Sequence, residues 1–233
     1  MSNVIVVTGA SSGVGLEIVK RFVDKKWSVI GLARNKDKLE SIKNTVDGKY
    51  SYYTADIRDN IQVSKAFNEI QKHYGKIDIL INNASVFKQE EFIECDAKDI
   101  NNIIDTNLKG TMFCTHETIK LMKGNGGRII NIASVAATHG IINQAIYCAS
   151  KYGIDGFAEA LSQELIEEGI LISTIYPGGI DTALWNEETN PYLGDLSKVL
   201  KPEDIVDMVE YIANLPGRVV LKKVVVFPSN EWH

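Results

Sequence analysis

The chain has 233 residues, 45% hydrophobic and 24% charged, with a formal net charge of -5. That composition supports one packed α/β domain and argues against a disordered chain. Its Lys and Arg residues are dispersed, which excludes the basic footprint of a nucleic-acid binder, and its apolar runs are too short to span a membrane.

Cys95, Cys114 and Cys148 match neither a disulfide framework nor zinc-ligand spacing, so no metal is expected and a reducing, cytoplasmic setting is. The N-terminus lacks a basic stretch followed by a long apolar run, so no secretory leader is expected.

Strand-like segments alternate with helix-like ones along the whole chain. Residues 3–8, 28–33, 50–54, 77–82, 127–133, 170–176 and 222–227 are short, and all but 50–54, which is Tyr-rich, are rich in Val, Ile and Leu. Most are continuous apolar runs, as strands covered on both faces require. Amphipathic stretches at 14–25, 35–46, 60–74, 98–123, 147–168 and 202–213 predict helices between them. In the stretch that opens at Tyr147, Ile154, Phe157, Ala158, Leu161 and Leu165 share a face at helical spacing. The alternation predicts one doubly wound, Rossmann-like domain over 1–233, with a seven-stranded parallel sheet and helices on both faces.

Thr8-Gly9-Ala10-Ser11-Ser12-Gly13-Val14-Gly15 joins the first strand to the first helix. Gly9 permits a tight turn, Gly13 a close backbone approach, and Gly15 tight helix packing. The free amides of Ser11, Ser12, Gly13 and Val14 would face an anion such as a dinucleotide pyrophosphate. The glycine spacing differs from the commoner Gly-x-Gly-x-x-Gly loop. Position at the end of an apolar strand favours a cofactor site over an ordinary turn.

The end of the second strand reports on cofactor type, because a carboxylate there would repel a 2′-phosphate. Here Ala33 and Arg34 supply no acid and one guanidinium suited to phosphate. NADP(H) is therefore favoured over NAD(H).

Tyr147 and Lys151 stand four residues apart, thirteen after Ser134. On a helix they share a face, about 5–6 Å apart at Cβ. An ammonium about 5 Å from a phenolate stabilises it by roughly 3 kcal/mol at an effective dielectric near 20, or about two pKa units. Ser134, just after a strand, can hydrogen-bond an oxygen as charge develops on it.

These motifs, with Asn82-Asn83-Ala84, Asn107, and Pro177-Gly178 followed by Thr182, resemble the single-domain short-chain dehydrogenase/reductase family over essentially the whole chain. The resemblance implies interconversion of a carbonyl and a secondary alcohol by hydride transfer. Tyr147 would be the general acid or base, and Ser134 would polarise the carbonyl. Lys151 would tune Tyr147 and hold the nicotinamide ribose, and Asn107 would hold a water in a proton relay. Asp56 and Ile57 would meet the adenine, Asn83 and Ala84 the adenosine ribose region, and Pro177, Gly178, Ile180 and Thr182 the carboxamide end.

Ser85 stands where the family usually has glycine, which bears on substrate shape rather than on activity. Residues 183–200, with Leu184, Trp185, Tyr192, Leu193 and Leu196, predict a short substrate lid. His139 and Gln144 are further pocket candidates. The resemblance also implies a homodimer or homotetramer, and Trp232-His233 would be either a partner contact or a frayed end. The substrate would be a small carbonyl or alcohol. A 3-ketoacyl thioester is the alternative substrate, and a non-catalytic NADP(H)-sensing protein the alternative from another class.

Overall fold

The structure, a computed structural model, describes residues 3–186, 188, 190–192 and 194–229. Its strands are β1 (Val4–Thr8), β2 (Ser28–Ala33), β3 (Tyr50–Thr54), β4 (Ile79–Asn82), β5 (Gly127–Ile132), β6 (Ile170–Pro177) and β7 (Lys223–Val226). All seven join one sheet in the order β3-β2-β1-β4-β5-β6-β7, and every pairing is parallel. The predicted sheet is thus present, with strand ends within about two residues of the apolar runs, as such boundaries allow.

The continuous apolar runs are explained by two cores, one on each sheet face. Ile5 and Val7 of β1 point to one side, where Ile18, Phe22, Ile205 and Val209 cover them. Val6 points to the other, toward Val63, Phe67, Leu80 and Cys114. Alternate residues of a strand face opposite sides, so a strand buried on both must be apolar throughout. The first core uses helices α1 (Gly13–Asp24), α2 (Lys36–Thr45) and α7 (Pro202–Ala213). The second uses α3 (Asn60–Tyr74), α5 (Gly110–Met122) and α6 (Ala145–Glu164).

Local signals set the helix starts. Asn35 accepts a hydrogen bond from the Lys38 amide to open α2, and Asp59 accepts from the Ile61 and Gln62 amides to open α3. Such caps satisfy amides that the helix itself leaves free. Helix α1 differs, because Ser12 precedes it with no side-chain cap and its first turn carries no acid.

The single helix predicted over 98–123 is interrupted. Helix α4 (Ala97–Ile104) runs into a π-helical turn (Asp105–Lys109) before α5 begins. The turn buries Thr106 and Asn107. Just beyond it, in α5, the Thr111 hydroxyl donates back to the Asn107 carbonyl at 2.7 Å. A polar residue sought inward by hydrogen bonds, rather than the apolar rhythm, sets this geometry.

Chain order reverses between β1 and β4: β1 leads outward to β2 and β3, β4 to β5, β6 and β7. The crevice at the carboxyl ends of these two strands is the ligand position of doubly wound sheets.

Candidate active site

A cleft of about 800 Å³ opens at that crevice. It is lined by the predicted Gly9, Ser11, Ser12, Gly13, Val14, Arg34, Asp56, Ile57, Asn83 and Ala84 at one end. Toward the other lie Ser134, Tyr147, Lys151, Pro177, Gly178 and Ile180, with Thr182 reaching over the glycine loop. Gly15 and Asn107 do not line it, and both act from behind the surface.

Gly9 adopts a left-handed backbone, with φ of +66°, and a Cβ there would come within 2.8 Å of the Ala84 Cα. Gly15 packs so tightly that a Cβ would lie 2.3 Å from the Gly9 carbonyl oxygen. Thr8 fastens this loop to the end of β4: its buried hydroxyl accepts from the Asn83 and Ala84 amides at 3.0 and 3.1 Å. The Asn83 side-chain amide donates to the Thr8 and Gly9 carbonyls at 3.0 and 3.3 Å. Asn83 therefore holds the loop in shape, and the uncapped α1 amides remain available to an anion.

At the far end, Ala33 closes β2 without a carboxylate, and the exposed Arg34 stands beyond it. Among the described residues Arg34 makes no ion pair, although its charge is felt at Asp56. Asp56 is occupied: Arg58 binds both of its oxygens and holds the carboxyl below its ordinary range. Lys38 also lines the cleft beside Arg34, a second cation the sequence did not single out.

Tyr147 and Lys151 lie one turn apart on α6, 8% and 2% exposed. The Lys151 Nζ is 5.3 Å from the Tyr147 ring centre and donates to the Ile132 carbonyl at 3.2 Å. The lowering expected for Tyr147 from this lysine is overridden. Burial pushes the phenol up to about 12, against a smaller opposing pull from the Ser134 and then the Ser85 hydroxyl. Burial also pushes Lys151 down to about 7, so near neutrality it is only partly a cation. Desolvation disfavours both charged forms and is the largest cause of each shift.

Ser134 ends the segment after β5, where its hydroxyl accepts from the Ala136 amide at 3.1 Å and opens a short helical turn. Ser85 has a buried hydroxyl with no hydrogen bond of ordinary geometry, and it lines the cleft. Asn107 is wholly buried. Its side chain accepts from the Val86 amide at 2.8 Å and donates to the Val86 carbonyl at 2.9 Å and the Ser150 hydroxyl at 3.1 Å. It thereby ties the segment after β4 to α6 and has no direct bond to Lys151.

The predicted lid region supplies Ala183, Leu184, Trp185, Tyr192 and Gly194 to the cleft, while Leu193 and the terminal Trp232-His233 lie outside the described residues. The Trp185 indole donates to the Ile180 carbonyl at 2.9 Å. Thr182 closes over the glycine loop, its methyl 3.5 Å from where a Gly13 Cβ would stand. Gln144 lines the cleft and His139 does not. The thiols Cys114 and Cys148 are buried and free.

Phe87 is the largest residue that sequence reasoning missed. Its ring packs edge-on between Tyr147, 4.9 Å away, and Trp185, 5.2 Å away. Its signal was position: it follows Asn82-Asn83-Ala84-Ser85-Val86 at the carboxyl end of a central strand, where such sheets build sites.

The pattern of the short chain dehydrogenase family matches residues 3–192. A 3beta-hydroxysteroid dehydrogenase of Mediterraneibacter gnavus is 33% identical, over 78% of this chain and 67% of that one. An uncharacterised oxidoreductase of Staphylococcus epidermidis is 30% identical, over 97% and 96% of the two chains. The solved closed form of a serine dehydrogenase complexed with NADP+ superposes with a TM-score of 0.88 at 27% identity, covering 99% of this chain and 96% of that one. Sheet order, cleft position and sequence agree, and the chain belongs to the short chain dehydrogenase family of oxidoreductases.

Proposed function

We propose that the protein is an NADP(H)-dependent oxidoreductase that interconverts a carbonyl and a secondary alcohol, with Tyr147 as its general acid and base. The observation that carries this is the meeting of the Tyr147 hydroxyl with Ser134, beside Lys151, at the inner end of the cleft. The residues present fit a dinucleotide: a Cβ would obstruct the cradle at Gly9, and the α1 amides are uncapped. Arg34 and Lys38 would meet a 2′-phosphate, which favours NADP(H) over NAD(H). Ile180 and Thr182 would hold the carboxamide end, and Lys151 the ribose beside it. The bound nicotinamide supplies or accepts the hydride.

Tyr147 retains its proton at neutral pH, as a phenol raised to about 12 must, and is therefore ready to protonate the oxygen of a carbonyl being reduced. Ser134 offers a hydrogen bond to that same oxygen. The apolar surroundings keep water from the reacting atoms and strengthen each polar contact. Asn107, through Val86 and Ser150, positions the segment carrying Ser85 and the helix carrying Tyr147.

The relatives' names span steroid and serine substrates, so they support the reaction more than any one substrate. The homodimer or homotetramer is kept as part of this proposal: a second groove lined by Met112, Phe113, Phe157 and Leu161 offers apolar surface to a second copy, and sedimentation would test it. The test of function is turnover of a panel of carbonyl compounds with NADPH. Tight NADPH binding without turnover of any carbonyl would instead favour a nucleotide sensor.

A further inference from the structure

The substrate end of the cleft has an unusual wall. Four aromatic rings succeed one another edge to face: Tyr147, Phe87, Trp185 and Tyr192, with centres 4.9, 5.2 and 4.8 Å apart. The series begins at the ring bearing the reacting hydroxyl and ends in the lid. Ile141 and Leu184 pack against it, and both face the cleft. Trp185, Leu184 and Ile141 are only half-buried. Large apolar side chains left partly uncovered around a cavity mark where an apolar ligand packs.

The wall is also fixed in place. The Asn190 side chain accepts from the Gln89 amide at 3.0 Å and donates to the Phe87 carbonyl at 3.3 Å. The lid is thereby fastened to the segment that carries Phe87, and the rings hold their arrangement ahead of the ligand.

Charge narrows the substrate further. The cations that line the cleft, among the described residues, are Arg34 and Lys38 at the adenosine end and Lys151 beside Tyr147. The lysines nearest the lid are spent elsewhere: Lys198 pairs with Asp195 and Lys201 with Asp181. Lys88, next to Phe87 in sequence, pairs with Glu90 and Asp99. A substrate carboxylate would be taken from water with no cation to meet it except Lys151, which donates to the Ile132 carbonyl and is only partly charged near neutrality, and that is unfavourable.

We infer that the substrate is an uncharged carbonyl compound with its C=O on or beside a flat apolar ring, an aryl or fused-ring ketone or the matching alcohol, and that Phe87 and Trp185 select it. The inference rests on the carbonyl–alcohol chemistry proposed above. Flat rings gain from edge-to-face packing on such a wall, and a small aliphatic ketone leaves most of it uncovered.

The test compares α-tetralone, butanone and acetoacetate with NADPH, in the parent and in Trp185→Ala and Trp185→Phe. The expected kcat/KM order is α-tetralone, then butanone, then acetoacetate, with roughly a hundredfold between the extremes, the scale on which pockets discriminate. Trp185→Ala should lower kcat/KM for α-tetralone, mainly through KM, about tenfold more than it lowers kcat/KM for butanone. Trp185→Phe keeps a ring but loses the bond to the Ile180 carbonyl, so retained α-tetralone preference assigns selection to the ring. Acetoacetate turned over as well as α-tetralone, or an unaltered ratio in Trp185→Ala, overturns the inference and leaves the carbonyl–alcohol reaction standing. NADPH bound with no carbonyl turned over removes both.

Discussion

The Lys151 Nζ stands 5.3 Å from the centre of the Tyr147 ring, and both side chains are almost entirely buried. In water each charge would favour the other's ionised form. Inside the protein, burial moves each toward its neutral form, the phenol to about 12 and the lysine to about 7.

That displacement has a consequence for stability. Lys151 titrates at about 7 when folded and at 10.5 when unperturbed. Between those values the unfolded chain binds a proton that the folded protein does not, so stability rises with pH through this window and is flat below it. The cost of burying the charge is therefore fullest below about pH 7. Lys151→Met removes that cost, and its melting temperature relative to the parent should be highest at acidic pH. The difference should shrink by several degrees between about pH 7 and pH 9, since each unit is about 1.4 kcal/mol and about 1 kcal/mol is worth some 2–4 °C at this size. Thermal melts of the cofactor-free proteins across that range check it. A difference independent of pH would show that Lys151 is not displaced.

Ser85 acts on the same hydroxyl from the other side. Its buried Oγ favours the Tyr147 phenolate and has no hydrogen bond of ordinary geometry. Ser85→Gly, and Ser85→Ala as a control that keeps the backbone restrained, should move the alkaline limb of alcohol oxidation to higher pH. Oxidation at neutral pH should fall severalfold, and carbonyl reduction, which uses the protonated phenol, should fall less. Rate–pH profiles in both directions measure this, and an unmoved limb in both variants would remove Ser85 from the proton transfer.

The proposed preference for NADP(H) rests on Ala33 and Arg34. Arg34→Ala should reduce the ratio of kcat/KM for NADPH over NADH by about tenfold or more, the loss of one charge-assisted phosphate contact. Ala33→Asp should lower it further by adding a charge that repels the 2′-phosphate. Steady-state kinetics with both cofactors decide it. A parent enzyme that uses NADH as well as NADPH contradicts the assignment.

Much of this protein was legible because its signals are local. Both-face burial forces continuous apolar runs in the central strands, so these could be found from the sequence, while the less covered edge strands β3 and β7 were legible from their Tyr, Thr and Val residues. The glycine loop could be read because Gly9 and Gly15 tolerate no Cβ. The π-helical turn at Asp105–Lys109 was not legible, because it depends on Asn107 reaching Val86 and Ser150, far apart in the chain. The Tyr147 pKa was misjudged for a related reason. A pair spacing gives the Coulomb attraction, but desolvation depends on everything packed around the pair. Phe87 was missed because only the fold brings it between Tyr147 and Trp185.

The most direct test of the proposed chemistry is Tyr147→Phe, assayed for NADPH-dependent reduction of a carbonyl that the parent reduces, with NADPH affinity measured in parallel by fluorescence. Phe keeps the ring that packs on Phe87 and loses only the hydroxyl. The account predicts a loss of turnover of about 10²–10⁴-fold or more, the scale of general acid catalysis, with NADPH affinity nearly unchanged. A Phe variant that turned over substrate at the parent's rate would contradict it.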